Sequence, residues 1–153
     1  MDESGAPLER LAELTGRDFP HLFAARERTV AGLRDRRTEL SKLRHDAETS
    51  VVLMGSWGRS GVTSESDDDF MILVHGAEGA KAEPAVEAVT GVLDHAPGSE
   101  GIFAAPVYSE KLVRKIGLDD DDNKNLSRRL LFLLESVPLP MRECLVPYRE
   151  VQR

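Results

Sequence analysis

Two short apolar runs, Val51 to Met54 and Phe70 to Val74, bracket a polar loop rich in glycine and serine, and they limit most strongly what this chain can become. Each run reads as a strand of the core. The first ends in Gly55-Ser56, and the second is headed by Asp67, Asp68 and Asp69. Alternate residues of a strand share a face, so Asp67 and Asp69 aim two carboxylates at one point. Paired carboxylates suit a hard divalent cation. The backbone N–H groups and hydroxyls of the glycine loop suit a phosphate. A metal-carboxylate pair beside a phosphate cradle is the equipment for phosphoryl or nucleotidyl transfer.

Composition narrows the setting. At 153 residues the chain can bury one core, and one domain is the natural expectation. The formal net charge of −7 argues against a broad grip on DNA, which runs on clustered Lys and Arg. No apolar run approaches the ~20 residues of a membrane span. The first ten residues, MDESGAPLER, begin acidic and are not expected to act as a secretory signal. Cys144 is the single cysteine, so an internal disulfide is excluded and a cytoplasmic location is expected. His45, His75 and His95 share no ligand spacing, which argues against zinc. Ser56 has no histidine at motif distance, which argues against a serine hydrolase.

Periodicity places the remaining elements. Leu8, Leu11 and Leu14 predict a short helix ended by Gly16, and a longer helix follows from Pro20 to Asp46. Its basic residues, Arg26 to Arg44, read as a solvated face. Ser50 to Met54 and Phe70 to Val74 are strands, Ala82 to Asp94 a helix, and Gly101 to Tyr108 a third strand at an edge because it contains Pro106. A leucine-rich helix runs from Leu126 to Ser136, capped by Asp122 or Asn123 and stopped by Pro138 and Pro140. A last helical piece spans Met141 to Gln152. The expected fold is α+β, a small mixed sheet packed against helices. It divides into an N-terminal helical segment (1–48), a catalytic core (49–116) and a C-terminal helical segment (117–153).

Met54-Gly55-Ser56, ten intervening residues, then Asp67-Asp68-Asp69-Phe70 resembles the nucleotidyltransferase pattern of the DNA polymerase β superfamily. Gly55-Ser56-Trp57-Gly58-Arg59 with Ser66-Asp67-Asp68-Asp69 is most similar to the bacterial branch of protein-PII uridylyltransferases, aminoglycoside nucleotidyltransferases and minimal nucleotidyltransferases. The resemblance covers roughly a sixth of the chain. One position departs from it. Asp68 stands between the two acids where the pattern is apolar, and it is expected to face away from the metal at the strand's exposed beginning.

The resemblance implies a polymerase β-like core and a Mg²⁺-dependent transfer of an NMP from an NTP, with release of pyrophosphate. The acceptor would be a hydroxyl or similar group on a small molecule, protein or RNA. Asp67 and Asp69 would hold Mg²⁺, and Gly55 and Ser56 would seat the phosphates, joined by Gly58, Arg59 and Ser66 of the loop. Arg59 would brace the leaving pyrophosphate, while Trp57 either packs or stacks on a base. Related enzymes present a third acid from a later strand. Here Glu110, just after the third strand, is the candidate, with Glu100 just before it. The short C-terminal part implies that a homodimer or a helical partner protein completes the acceptor pocket. The alternatives are a non-catalytic relative that binds a nucleotide or partner, and a toxin/antitoxin-type minimal nucleotidyltransferase.

Overall fold

In the computed structural model of the chain, which describes residues 6–42, 48–76, 89, 92–93, 106–117, 119, 121, 124–139 and 146–153, the two apolar runs are neighbouring strands. β1 (Thr49–Leu53) and β2 (Phe70–Val74) pair antiparallel, from Thr49 opposite Val74 to Leu53 opposite Phe70. The Met54 N–H donates to the Asp69 carbonyl at 2.8 Å and carries the ladder one step toward the loop. β3 (Val107–Tyr108) lies parallel to β2, with Val107 opposite Leu73. β4 (Val137–Pro138) lies antiparallel to β1 on the other side, giving the order β3-β2-β1-β4. The fold is therefore α+β, with a small mixed sheet.

Helices cover both faces of that sheet, which is why β1 and β2 are buried at every residue and, apart from Thr49 and Ser50, apolar. On one face Val51, Leu53, Phe70, Ile72 and Val74 pack with Leu40 of α2 (Pro20–Leu40), Trp57 and Val62 of the loop, and Val89 and Leu93. On the other, Val52, Met54, Met71 and Leu73 meet Leu112 of α3 (Ser109–Arg114), Phe132 of α4 (Lys124–Glu135), and Tyr148 and Val151 of α5 (Val146–Gln152). The Phe132 and Tyr148 rings lie 4.8 Å apart at a tilt. Among the described residues no helix is long and apolar enough to cross a membrane.

Several elements depart from the sequence-based expectation. The short first helix, α1 (Ala6–Thr15), is present, but α2 stops at Leu40, where the Ser41 N–H turns back to the Arg37 carbonyl. Pro138 does not merely stop a helix. It sits in an edge strand, where its missing N–H costs no ladder bond, and the Leu139 N–H donates to Val51 O at 2.9 Å just beyond it. Within the helix expected over 82–94, Val89, Val92 and Leu93 are described, and the Leu93 N–H donates to Val89 O in helical spacing. The rest of that helix, residues 101–105 of the third strand, the caps Asp122 and Asn123, and residues 141–145 of the last helix lie outside the described residues. The leucines of α4 are a further surprise. Leu126, Leu130, Leu133 and Leu134 point outward and are exposed, while Asn125 and Phe132 form the inner face.

α2 is joined to the acid-bearing loop at three residues about one turn apart. Thr29 Oγ1 donates to Ala25 O and accepts the buried Val62 N–H at 3.1 Å. At Gly32 a Cβ would lie 2.7 Å from Trp57 Cη2, so the indole rests on bare helix backbone. The Arg36 guanidinium lies 4.1 Å from the Trp57 ring centroid, and its Nη2 donates to both Asp68 oxygens at 2.8 Å. Two readings change here. Asp68 is not at an exposed strand beginning but 4% exposed, and Arg36 is partly buried against it rather than solvated. Removing one member of a buried ion pair strands the other charge. Arg36→Ala should cost about 3 kcal/mol, read as a lower denaturant midpoint in circular dichroism. A loss below about 1 kcal/mol, the value of an exposed pair, would contradict this account.

Candidate functional site

The loop after β1 is one tight helical turn. Gly55 takes φ of +59°, a left-handed value that glycine adopts without strain. The Trp57 N–H donates to Met54 O, and the Arg59 N–H to Gly55 O. Ser60 is left-handed as well (φ +57°), and two bonds close the turn in the pattern of a helix C-terminus: Gly61 N–H to Ser56 O at 2.8 Å and Ser60 N–H to Trp57 O at 3.2 Å. These turn bonds do not use the N–H groups of Gly55, Ser56 and Gly58. They are the donors such a turn can present to an anion.

The three aspartates stand just ahead of β2. Asp68 points to the α2 side, where Arg36 holds it. Asp67 is exposed and Asp69 half-buried, and the charge of Asp67 reaches Asp69. The Asp67 carbonyl accepts the Trp57 indole N–H at 3.3 Å, which ties the acidic segment to the loop a second time. A Cβ at Gly55 would lie 3.1 Å from Asp69 Oδ2, so the carboxylate sits directly on the Gly-Ser bend. Burial raises the Asp69 pKa above the ordinary 3.8, and the charges of Asp67 and Glu135 raise it further, against a smaller lowering by Arg59. The strand thus gathers negative charge at the bend in a partly desolvated place.

The other sequence-predicted residues fall in different places. Gly58 and Arg59 belong to the turn itself, and Arg59 forms an ion pair with Glu135, the last residue of α4. The Ser66 hydroxyl accepts the Thr63 N–H at 3.0 Å and so serves the fold of its own turn. Glu110 is not brought to the acids. It is the second residue of α3, two after Tyr108, which pairs with Val74 at the far end of β2, and its N–H donates to Gly76 O. Because β3 runs parallel to β2, Glu110 is carried the whole length of that five-residue strand away from Asp69, about 16 Å at 3.3 Å per residue. Glu100 lies outside the described residues.

Sequence reasoning missed Glu135, the acid whose charge does reach Asp69. One signal was available. A carboxylate at the C-terminal end of a helix opposes the helix dipole, so it needs a partner from elsewhere. Among the described residues no three or more Asp, Glu, His or Cys side chains are grouped so that they could hold a metal ion. A cavity of about 390 Å³ adjoins the loop, lined by Leu33, Arg37, Trp57, Gly58, Ser60 and Ser136 among others, a size that takes a small molecule.

No family model, curated protein or solved structure matches the chain in comparisons with each.

The raised Asp69 pKa fixes a sign. The folded chain holds this proton more tightly than the unfolded chain, so the ionised carboxylate destabilises the fold at neutral pH. That penalty disappears as pH falls through the folded pKa toward the ordinary carboxylate value. Asp69→Asn should therefore raise Tm at pH 7, and the gain should shrink as pH falls below the folded value. A variant less stable than the parent at pH 7 would refute this.

Proposed function

We propose that the chain is a Mg²⁺-dependent nucleotidyltransferase, moving an NMP from an NTP to an acceptor hydroxyl or similar group with release of pyrophosphate. The observation that carries the reading is the seating of the Asp69 carboxylate on the Gly55 bend, within reach of the charge of Asp67. Two neighbouring acids, with the charge of Asp67 and burial both opposing ionisation of Asp69, offer only oxygen donors. That donor chemistry fits a hard divalent cation. Asp67 and Asp69 would hold it. When bound, it would neutralise phosphate charge and lower the pKa of the attacking hydroxyl.

The chain's own groups account for the rest of the task. The N–H groups of Gly55, Ser56 and Gly58 are donors for phosphate oxygens. In the transfer, the acceptor oxygen forms a bond to the α-phosphorus as the bond to the β-phosphate bridging oxygen breaks. Pyrophosphate leaves with that electron pair, and the acceptor proton passes to solvent. Arg59 is the cation of the turn and suits the charge that builds on the departing pyrophosphate.

A second reading, nucleotide binding without turnover, draws on the position of Glu110 at the other end of β2 and on the lack of a third grouped acid among the described residues. One experiment separates the two. Incubation with labelled NTPs, Mg²⁺ and the chain should release pyrophosphate, and Asp67→Ala should lower the rate by about two orders of magnitude or more. Saturable NTP binding with no pyrophosphate release would favour the second reading. Absence of both would refute the two together.

A further inference from the structure

Glu135 is fixed in place more firmly than the arginine it holds. Its side chain is 17% exposed against 58% for Arg59. Its backbone is also the seat of the loop, because a Cβ added at Gly58 would fall on the Glu135 carbonyl and leave only 2.7 Å to the Ser136 nitrogen. The loop therefore rests directly on the end of α4, and the guanidinium is the freer half of the pair.

We propose that Glu135 is a built-in competitor for Arg59: an internal carboxylate that occupies the guanidinium in the empty site and must be displaced by a polyphosphate before the loop can bind it. The inference rests on the reading of this loop as a phosphate site. The physical ground is exchange of one charge-assisted partner for another. A carboxylate already pairs with Arg59, so a ligand gains from this residue only what exceeds the pair it breaks. Only the fraction of molecules with Arg59 released is ready to bind, and apparent affinity falls by that fraction. For a pair as exposed as this one, the reduction is about two- to fivefold. A polyphosphate, which carries several charges and also engages the loop N–H groups, overcomes that reduction. A simple carboxylic acid does not, since it offers Arg59 what Glu135 offers already. The charge of Glu135 already reaches Asp69, so losing its guanidinium leaves that charge uncompensated near the proposed cation.

The test is a calorimetric titration of the full chain with tripolyphosphate in Mg²⁺ buffer, using Glu135→Asp, Glu135→Gln, Arg59→Gln and the double variant Arg59→Gln/Glu135→Gln. Glu135→Asp keeps the charge and draws back from the guanidinium, whereas Glu135→Gln removes the charge. Both should bind tripolyphosphate about two- to fivefold more tightly than the parent, and Glu135→Gln should gain nothing once Arg59 is gone. Parental affinity in both single variants would overturn the competition and leave the phosphate site standing, because the parent would still bind. A gain confined to Glu135→Gln, or one that persists in the double variant, would reveal a general field effect and overturn it as well. If the parent and every variant fail to bind, the competition and the phosphate site fall together. Matching circular dichroism spectra would show that all variants share the fold.

Discussion

The pairing of Arg36 with Asp68 beneath Trp57 decides how the acidic strand faces. A strand offers its residues alternately to two sides, and a slip of one position would exchange the sides of all of them. Anchoring the middle aspartate on α2 removes that freedom. Asp69 is left beside the glycine bend, within reach of the charge of Asp67. The partner of Asp68 thus helps to set where the Asp69 carboxylate stands. The arrangement is costly in itself, since a partly buried guanidinium is desolvated and its Nε has no hydrogen-bond partner among the described residues. The indole against its face and the two close contacts to Asp68 offset that cost.

Much of this was legible in the residues. Both strands were, because a strand covered on two faces must be apolar throughout, and Val51 to Met54 and Phe70 to Val74 are. The partner of Asp68 was not legible, since Arg36 lies 32 positions earlier among many arginines and nothing local marks it as the one turned inward. β4 escaped notice because Pro138 reads as a helix stop, and only a sheet edge makes it acceptable in a strand. Glu110 went astray for a topological reason. Its proximity to the third strand was real, but which end of the sheet it reaches depends on that strand's direction, and periodicity carries no information about direction.

α2 also changes the meaning of the N-terminal segment. In sequence it stands apart from the motif and reads as an extension. In space it is one of the layers that close the core, through Leu40 and the partly buried Leu33, and the loop is fastened to it through Thr29, Gly32 and Arg36. Residues from both sides of the motif therefore hold one short turn: α2 from before it, and the end of α4 from after it.

Trp57 is the chain's single tryptophan, and it lies between a helix backbone, a guanidinium and the carbonyl of Asp67. Indole emission responds to the charge and wetness of its surroundings, so the molecule carries its own optical gauge at the junction of helix, loop and acidic strand. No label need be attached to follow that junction, and no second fluorophore of the same kind obscures it.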